Sequence, residues 1–350
     1  LSIAIALPIA AWSSYSVSKH FYYIGKKYKS AGDYSRALSS YDKAIFLNPF
    51  YAKAFNNRGN LYYLTGNLAA AINDYTNAIR RDPDFPEPYR NRATAYFDMG
   101  KYAESIADAT KAIDLKSNYN VAYEVRGASY AATKQYKNAI IDFNKALEID
   151  PESGYSYFYR AYTYEVTGEY AEAIKDYKKV LSLNPKDVDS LNRLAYIYAL
   201  KGDPNVALEY YNELIKLKPD DPMLYYNRGV LFLDKQNYDN AIDDFIKATE
   251  IKPDYRTAYN NLGGIYFNKG DYGKAVIYFD KAIEVSKEDI KPFLNKASAL
   301  VELGRSNEAR ESLEEALKYV PANDTEYTDL IKSRLLELDQ SISNSTDNTR

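Results

Sequence analysis

The chain returns to the same pattern every 34 residues, nine times in succession and without an insertion or deletion. Counted from Ser18, the eighth residue of each repeat is Gly25, Gly59, Ala93, Gly127, Ala161, Ala195, Gly229, Gly263 and Ala297. The twentieth is Ala37, Ala71, Ser105, Ala139, Ala173, Ala207, Ala241, Ala275 and Ala309. A period in this range marks stacked supersecondary units, none of which can bury an apolar face alone. The repeats fall at 18–51, 52–85, 86–119, 120–153, 154–187, 188–221, 222–255, 256–289 and 290–323. Length alone would suggest two or three globular domains, but a stacked array reads as one continuous solenoid.

The other fixed positions predict two helices per repeat. Aromatics recur at the fourth residue (Phe21, Phe55, Tyr89, Tyr123, Tyr157, Tyr225, Tyr259, Phe293, with Leu191 the exception) and again at the eleventh (Tyr28, Tyr62, Tyr96, Tyr130, Tyr164, Tyr198, Phe232, Tyr266). With the small eighth residue between them they lie at i, i+4 and i+7, one stripe of a helix. A second stripe follows, as in Ala139, Phe143 and Ala146. Glycines such as Gly32, Gly66 and Gly100 stand between the stripes, where a helix ends most cheaply in the left-handed region. Prolines such as Pro49, Pro83 and Pro151 stop the second helix.

These residues resemble the tetratricopeptide repeat family. The fourth repeat reads Tyr123, Arg126, Gly127, Tyr130, Ala139, Phe143, Ala146 and Pro151, close to the family pattern of aromatic, Leu-Gly, Tyr, Ala, Phe, Pro. The third departs at Ala109 and Ser117, and the eighth has Lys287 in place of Pro, which bears on local turn geometry. The resemblance implies an all-α fold, an α-solenoid wound as a right-handed superhelix whose first helices line a concave groove for peptides.

One departure is informative. The residue before the small eighth position, usually Leu in this family, is Arg58, Arg92, Arg126, Arg160 and Arg228 in five repeats. In those repeats and no others the twenty-third residue is Asp: Asp74, Asp108, Asp142, Asp176 and Asp244. Coincidence of the two sets points to an ion pair between the helices of one hairpin. The functional alternative is an arginine row for anionic ligands.

By resemblance, the second, fifth, sixth, ninth, twelfth and thirteenth residues of each repeat face the concave side. The sixth is Asn57, Asn91, Asn227, Asn261 and Asn295 in five repeats. A row of amides can hydrogen-bond an extended peptide whatever its sequence. This is similar to the asparagine ladder in the repeat region of O-linked N-acetylglucosamine transferase. The row is broken by Val125, Tyr159 and Arg193, and there the lining turns apolar, with Val121, Ala128 and Ala131 followed by Tyr155, Phe158 and Tyr162. That stretch reads as an anchor pocket for hydrophobic side chains, or as packing against the next repeat. Lys19, Lys26 and Lys29 form a basic mouth suited to an acidic flank of the ligand. Co-chaperones of the family hold acidic tails in a carboxylate clamp; Asn60 and Asn91 match its amides, but Asn56, Val121 and Val125 stand where its cations would be.

Nothing points to catalysis. Cysteine is absent, the single histidine is His20 in the first repeat, and no glycine loop with a following Lys resembles a phosphate cradle. No cofactor or metal is expected. A net charge of −3 over 350 residues gives no nucleic-acid footprint. The expected role is a non-catalytic scaffold for a protein or peptide partner. The alternatives are the docking arm of an enzyme whose catalytic domain lies elsewhere, and a co-chaperone.

The ends complete the reading. Residues 1–17 form an apolar N-terminal segment, with LSIAIALPIAAW at its start. Twelve residues span about 18 Å as a helix, short of a bilayer core. The stretch is the tail of a membrane anchor or signal sequence, or it packs on the first repeat; membrane association is favoured and a cytoplasmic location is the alternative. After the repeats, Tyr327, Leu330, Ile331, Leu335 and Leu338 predict a capping helix over 324–340, and 341–350 reads as a disordered tail.

Overall fold

The computed structural model describes residues 9–321 and 323–347, with side chains from 14 to 340 except 322. Every regular element among the described residues is an α-helix. The chain divides into two compact lobes, Leu1–Pro185 and Lys186–Arg350, the division falling in the turn that ends the fifth repeat. This corrects the expectation of one continuous body: a stack in which each repeat packs only on its neighbours has no core shared by all of them.

The first lobe holds α1 (Ile9–Ser30), α2 (Tyr34–Leu47), α3 (Ala52–Leu64), α4 (Leu68–Arg81), α5 (Pro86–Asp98), α6 (Tyr102–Leu115), α7 (Asn120–Ala132), α8 (Tyr136–Ile149), α9 (Gly154–Val166) and α10 (Tyr170–Leu183). The second holds α11 (Val188–Leu200), α12 (Pro204–Leu217), α13 (Pro222–Asp234), α14 (Tyr238–Ile251), α15 (Arg256–Asn268), α16 (Tyr272–Val285), α17 (Lys291–Glu302), α18 (Ser306–Leu317) and α19 (Thr325–Asp347). Within each lobe consecutive helices pair as hairpins, and each hairpin packs on the next.

The hairpin turn follows from its chemistry. In the first repeat Gly32 takes φ +77°, and the Asp33 amide donates back to the Tyr28 carbonyl at 3.0 Å, closing the end of α1. Asp33 then caps α2 by accepting from the Arg36 amide. Seven repeats place glycine at this left-handed position, whereas Lys134 and Gln236 adopt it without one, at φ +61° and +57°. The departures at Ser117 and Lys287 leave the second helices intact: α6 and α16 end in the same register as α2, with Lys116 and Ser286 donating to Ala112 and Ala282 as Asn48 does to Ala44.

The core is built where small residues face rings. Ala37, Ala71, Ala139, Ala173 and Ala241 are fully buried, and Tyr41, Tyr75, Phe143, Tyr177 and Phe245 lie four residues further along the same helices, also buried. Ser105, the one polar residue in the alanine series, is satisfied by the Ser129 hydroxyl at 2.8 Å. A Cβ on Gly263 would come within 2.5 Å of the Phe279 ring, so glycine there is a packing requirement.

At the ends, Ile9–Trp12 belong to the first turn of α1, and residues 1–8 lie outside the described residues. No helix among the described residues is long and apolar enough to cross a membrane. The capping helix α19 buries Ile331 and Leu338 against α17 and α18. It continues to Asp347, which corrects the tail expected from Ser341, because a nucleated helix extends at one hydrogen bond per residue fixed.

Candidate functional site

The arginine series resolves into a three-helix clip. Arg126 on α7 donates through Nε and Nη2 to both carboxylate oxygens of Asp142 on α8, each at 2.8 Å. The same fork joins Arg58 to Asp74, Arg92 to Asp108, Arg160 to Asp176 and Arg228 to Asp244. The third nitrogen, Nη1, reaches back to the preceding repeat, where it donates to Asp42, Thr76, Thr110, Asn144 and Asn212 respectively. Aromatics at the fourth and eleventh positions flank the guanidinium, as Tyr123 and Tyr130 do at 5.5 and 6.0 Å from Arg126. The hydrogen bond to Asp142 outweighs burial and raises the Arg126 pKa. At Arg58 burial lowers the pKa, and the two carboxylates together more than offset it. With all three nitrogens bonded, these arginines join hairpins to one another, and the alternative of an arginine row for ligand loses its donors.

The asparagine row is likewise engaged. Asn57 Nδ2 donates to the Tyr22 hydroxyl at 2.9 Å and Asn91 Nδ2 to Asn56 Oδ1 at 2.8 Å. In the second lobe Asn261 donates to the Tyr226 hydroxyl at 3.5 Å and Asn295 to Asn260 Oδ1 at 3.2 Å. These four partners all occupy the fifth position of the preceding repeat. Asn227 instead bonds Tyr211, whose phenol is pushed up by burial and eased by that contact. The amides therefore form seams between repeats. Asn91, only 6% exposed, is corrected from open ladder rung to buried link.

The apolar stretch also divides. Val125 is buried with Ala93 and Ala109, which corrects its placement in the groove: Ala109 stands where most repeats carry a ring, and Val125 occupies the vacated volume. Tyr155 and Tyr162, on α9, remain 41% and 37% exposed. Tyr155 stands 4.3 Å from Tyr159 between ring centroids, Phe158 meets Tyr159 edge-on at 5.4 Å, and Tyr159 stacks towards Phe143 at 6.4 Å. Burial, then the neighbouring Tyr159, raises the Tyr155 pKa. Arg193 on α11 is partly exposed in the second lobe.

Two cavities open on the first three repeats. One, of about 530 Å³, is bordered by Lys19, Lys26, Lys53 and Arg81 with Tyr15, Tyr22, Tyr23, Phe50 and Tyr51. The other, of about 200 Å³, is bordered by Lys29, Asn60, Arg90, Asn91 and Thr94 with Tyr63, Leu64 and Tyr75. Among the described residues no cluster of histidine or carboxylate side chains could hold a metal ion.

Family models described as TPR repeat match residues 25–66, 59–100 and 231–270, and others described as tetratricopeptide repeat match 87–119, 121–153, 143–175, 160–222 and 254–320. The chain belongs to the tetratricopeptide repeat family. No curated protein matches it. Among solved structures, the C-terminal part of a TPR repeat-containing protein from Cytophaga hutchinsonii is similar at 21% identity and a TM-score of 0.62, over 69% of this chain and 98% of that one. PilF of Pseudomonas aeruginosa is similar at 18% identity and a TM-score of 0.54, over 59% of this chain and 94% of that one. MamA is 27% identical over 48% of this chain and 92% of that one, with a TM-score of 0.46. Repeats of this family generally act as non-catalytic scaffolds for protein or peptide partners, and the chain is a protein–protein interaction scaffold of that class.

Proposed function

We propose that the first lobe holds an extended peptide, or a partner's helix, against the first helices of its repeats, with the aromatic cluster of α9 as the anchor. The observation that carries this reading is the partial exposure of Tyr155 and Tyr162 beside the half-buried Phe158 and Tyr159. Rings of this kind supply large contact area with few rotatable bonds, which is why they dominate binding hot spots. The amide seams supply a polar border: each asparagine keeps a second N–H after bonding its neighbour. In the second lobe, Asn227, Asn261, Asn295 and Arg193 form the corresponding lining. The test is binding of peptides selected from a random library on the full chain. Tyr155→Ala should weaken the selected peptides about tenfold, the loss of one aromatic anchor; unchanged affinity refutes the anchor.

Tethering to a membrane rests on the apolar composition of Leu1–Trp12. Partition of the full chain onto neutral lipid vesicles, lost when 1–12 is removed, supports it; equal partition of both forms contradicts it.

A further inference from the structure

The smaller cavity on the first three repeats is lined by hydrogen-bond donors. Lys29 comes from the end of α1, Asn60 from α3, and Arg90 and Asn91 from α5. Lys29 is half-buried, and no carboxylate pairs with it among the described residues. Burial, and then the charge of Lys26, lowers its pKa. Arg90 spends Nε on the Tyr119 hydroxyl at 3.1 Å, which leaves both terminal nitrogens for another partner. The Tyr75 hydroxyl donates to Asn60 Oδ1 at 2.9 Å, so both Nδ2 protons of Asn60 remain to be donated. The carboxylate nearest in the chain, Asp98, already accepts from Tyr63 at 2.5 Å. Two cations and an amide thus border one concavity that lacks a counter-charge of its own. Lys19, Lys26 and Lys53 extend the same sign of charge to the neighbouring cavity.

We infer that the Lys29–Asn60–Arg90 cavity receives a carboxylate group of an acidic peptide, with further acidic residues of that peptide lying along Lys19, Lys26 and Lys53. The geometry suits a flat two-oxygen anion. The guanidinium offers two parallel donors, the ammonium a point charge, and the amide a third direction of approach. A volume of about 200 Å³ admits a carboxylate with its methylene stem. Placement at a partly buried site also strengthens each contact relative to open water. This assignment deepens the peptide-binding reading above and rests on it.

The test uses a fluorescently labelled octamer of glutamate and its glutamine counterpart, titrated against the full chain by anisotropy at low and moderate salt. The glutamate peptide should bind, weaken as salt rises, and lose about tenfold in affinity with Lys29→Gln, while Lys29→Arg retains most of it. Arg90→Gln should act in the same direction, with circular dichroism confirming an unchanged helical content. Equal binding of the two octamers, or indifference to Lys29→Gln, overturns the inference. A library-selected neutral peptide whose affinity falls with Tyr155→Ala but ignores Lys29→Gln would refute the carboxylate site while leaving the aromatic anchor standing. Preference for a phosphoserine peptide over the glutamate octamer would also overturn it.

Discussion

Arg126 and Asp142 form a two-pronged ion pair, both bonds 2.8 Å long, that fastens α7 to α8 while the third guanidinium nitrogen reaches Thr110 on α6. Asp142 is nearly enclosed, with 4% of its side chain exposed, and Arg126 keeps 18%. Asp142→Ala should therefore destabilise by about 3 kcal/mol, the low end for breaking a buried pair, because the guanidinium retains an edge in water. A double-mutant cycle with Arg126→Ala, read by chemical denaturation, should return a coupling of about 1–3 kcal/mol. Coupling near zero contradicts the clip.

The clip also shows how far the sequence carried the fold. The arginine and aspartate series were legible because both partners lie within one repeat and vary together. The acceptor in the preceding repeat has the same logic: Asp42, Thr76, Thr110, Asn144 and Asn212 precede the five arginine repeats, whereas Lys178 and Ile246 precede Leu194 and Leu262. Chemical variety among Asp, Thr and Asn hid a shared role as oxygen acceptors. The asparagine row misled for a related reason. Its partners stand 35 residues earlier, at Tyr22, Asn56, Tyr226 and Asn260, so a pattern confined to one repeat could not reveal them. Val125 was misplaced because its burial depends on the absence of a ring at Ala109, a property of the neighbour. The cavity at Lys29 and Arg90 combines residues from three repeats at positions that no single-repeat alignment brings together.

Turn chemistry gives a stabilising prediction. Lys134 and Gln236 hold positive φ where seven other repeats place glycine. Lys134→Gly and Gln236→Gly should each raise stability by about 1 kcal/mol, relief of left-handed strain less the entropy glycine adds to the unfolded chain. Thermal denaturation of the single and double variants checks this, and a lower melting temperature would contradict it.

The adjacent pair Gly263 and Gly264 separates packing from propensity. Gly263→Ala places a methyl within 2.5 Å of Phe279 and should cost about 1–3 kcal/mol through overpacking. Gly264→Ala meets no atom within 4 Å and should stabilise α15 by up to about 1 kcal/mol. Two substitutions of the same kind, one residue apart, should therefore move the denaturation midpoint in opposite directions. Movement in the same direction would place the close approach elsewhere.

The buried tyrosines set an alkaline limit. Burial, then a neighbouring charge or hydrogen bond, raises Tyr51 and Tyr63 to about 12 from an ordinary 10.0. A phenol with a raised folded pKa holds its proton where the unfolded chain has lost it. Its stabilisation is complete below pH 10 and disappears as pH climbs to about 12. Helical circular dichroism and tyrosinate absorbance should change together across that interval. Ionisation of these phenols at their ordinary value with helicity intact would contradict the assignment.

The central claim is that a partner polypeptide lies on the first-helix face of the first lobe, anchored at α9. Its most direct test is hydrogen exchange of the full chain with and without a library-selected peptide, combined with the affinities of Tyr155→Ala and, as a control on the opposite helix, Lys175→Ala. Binding should slow exchange in α3, α5, α7 and α9, weaken about tenfold with Tyr155→Ala and ignore Lys175→Ala. Protection centred on α4, α6, α8 and α10, or equal affinity for both variants, would contradict it.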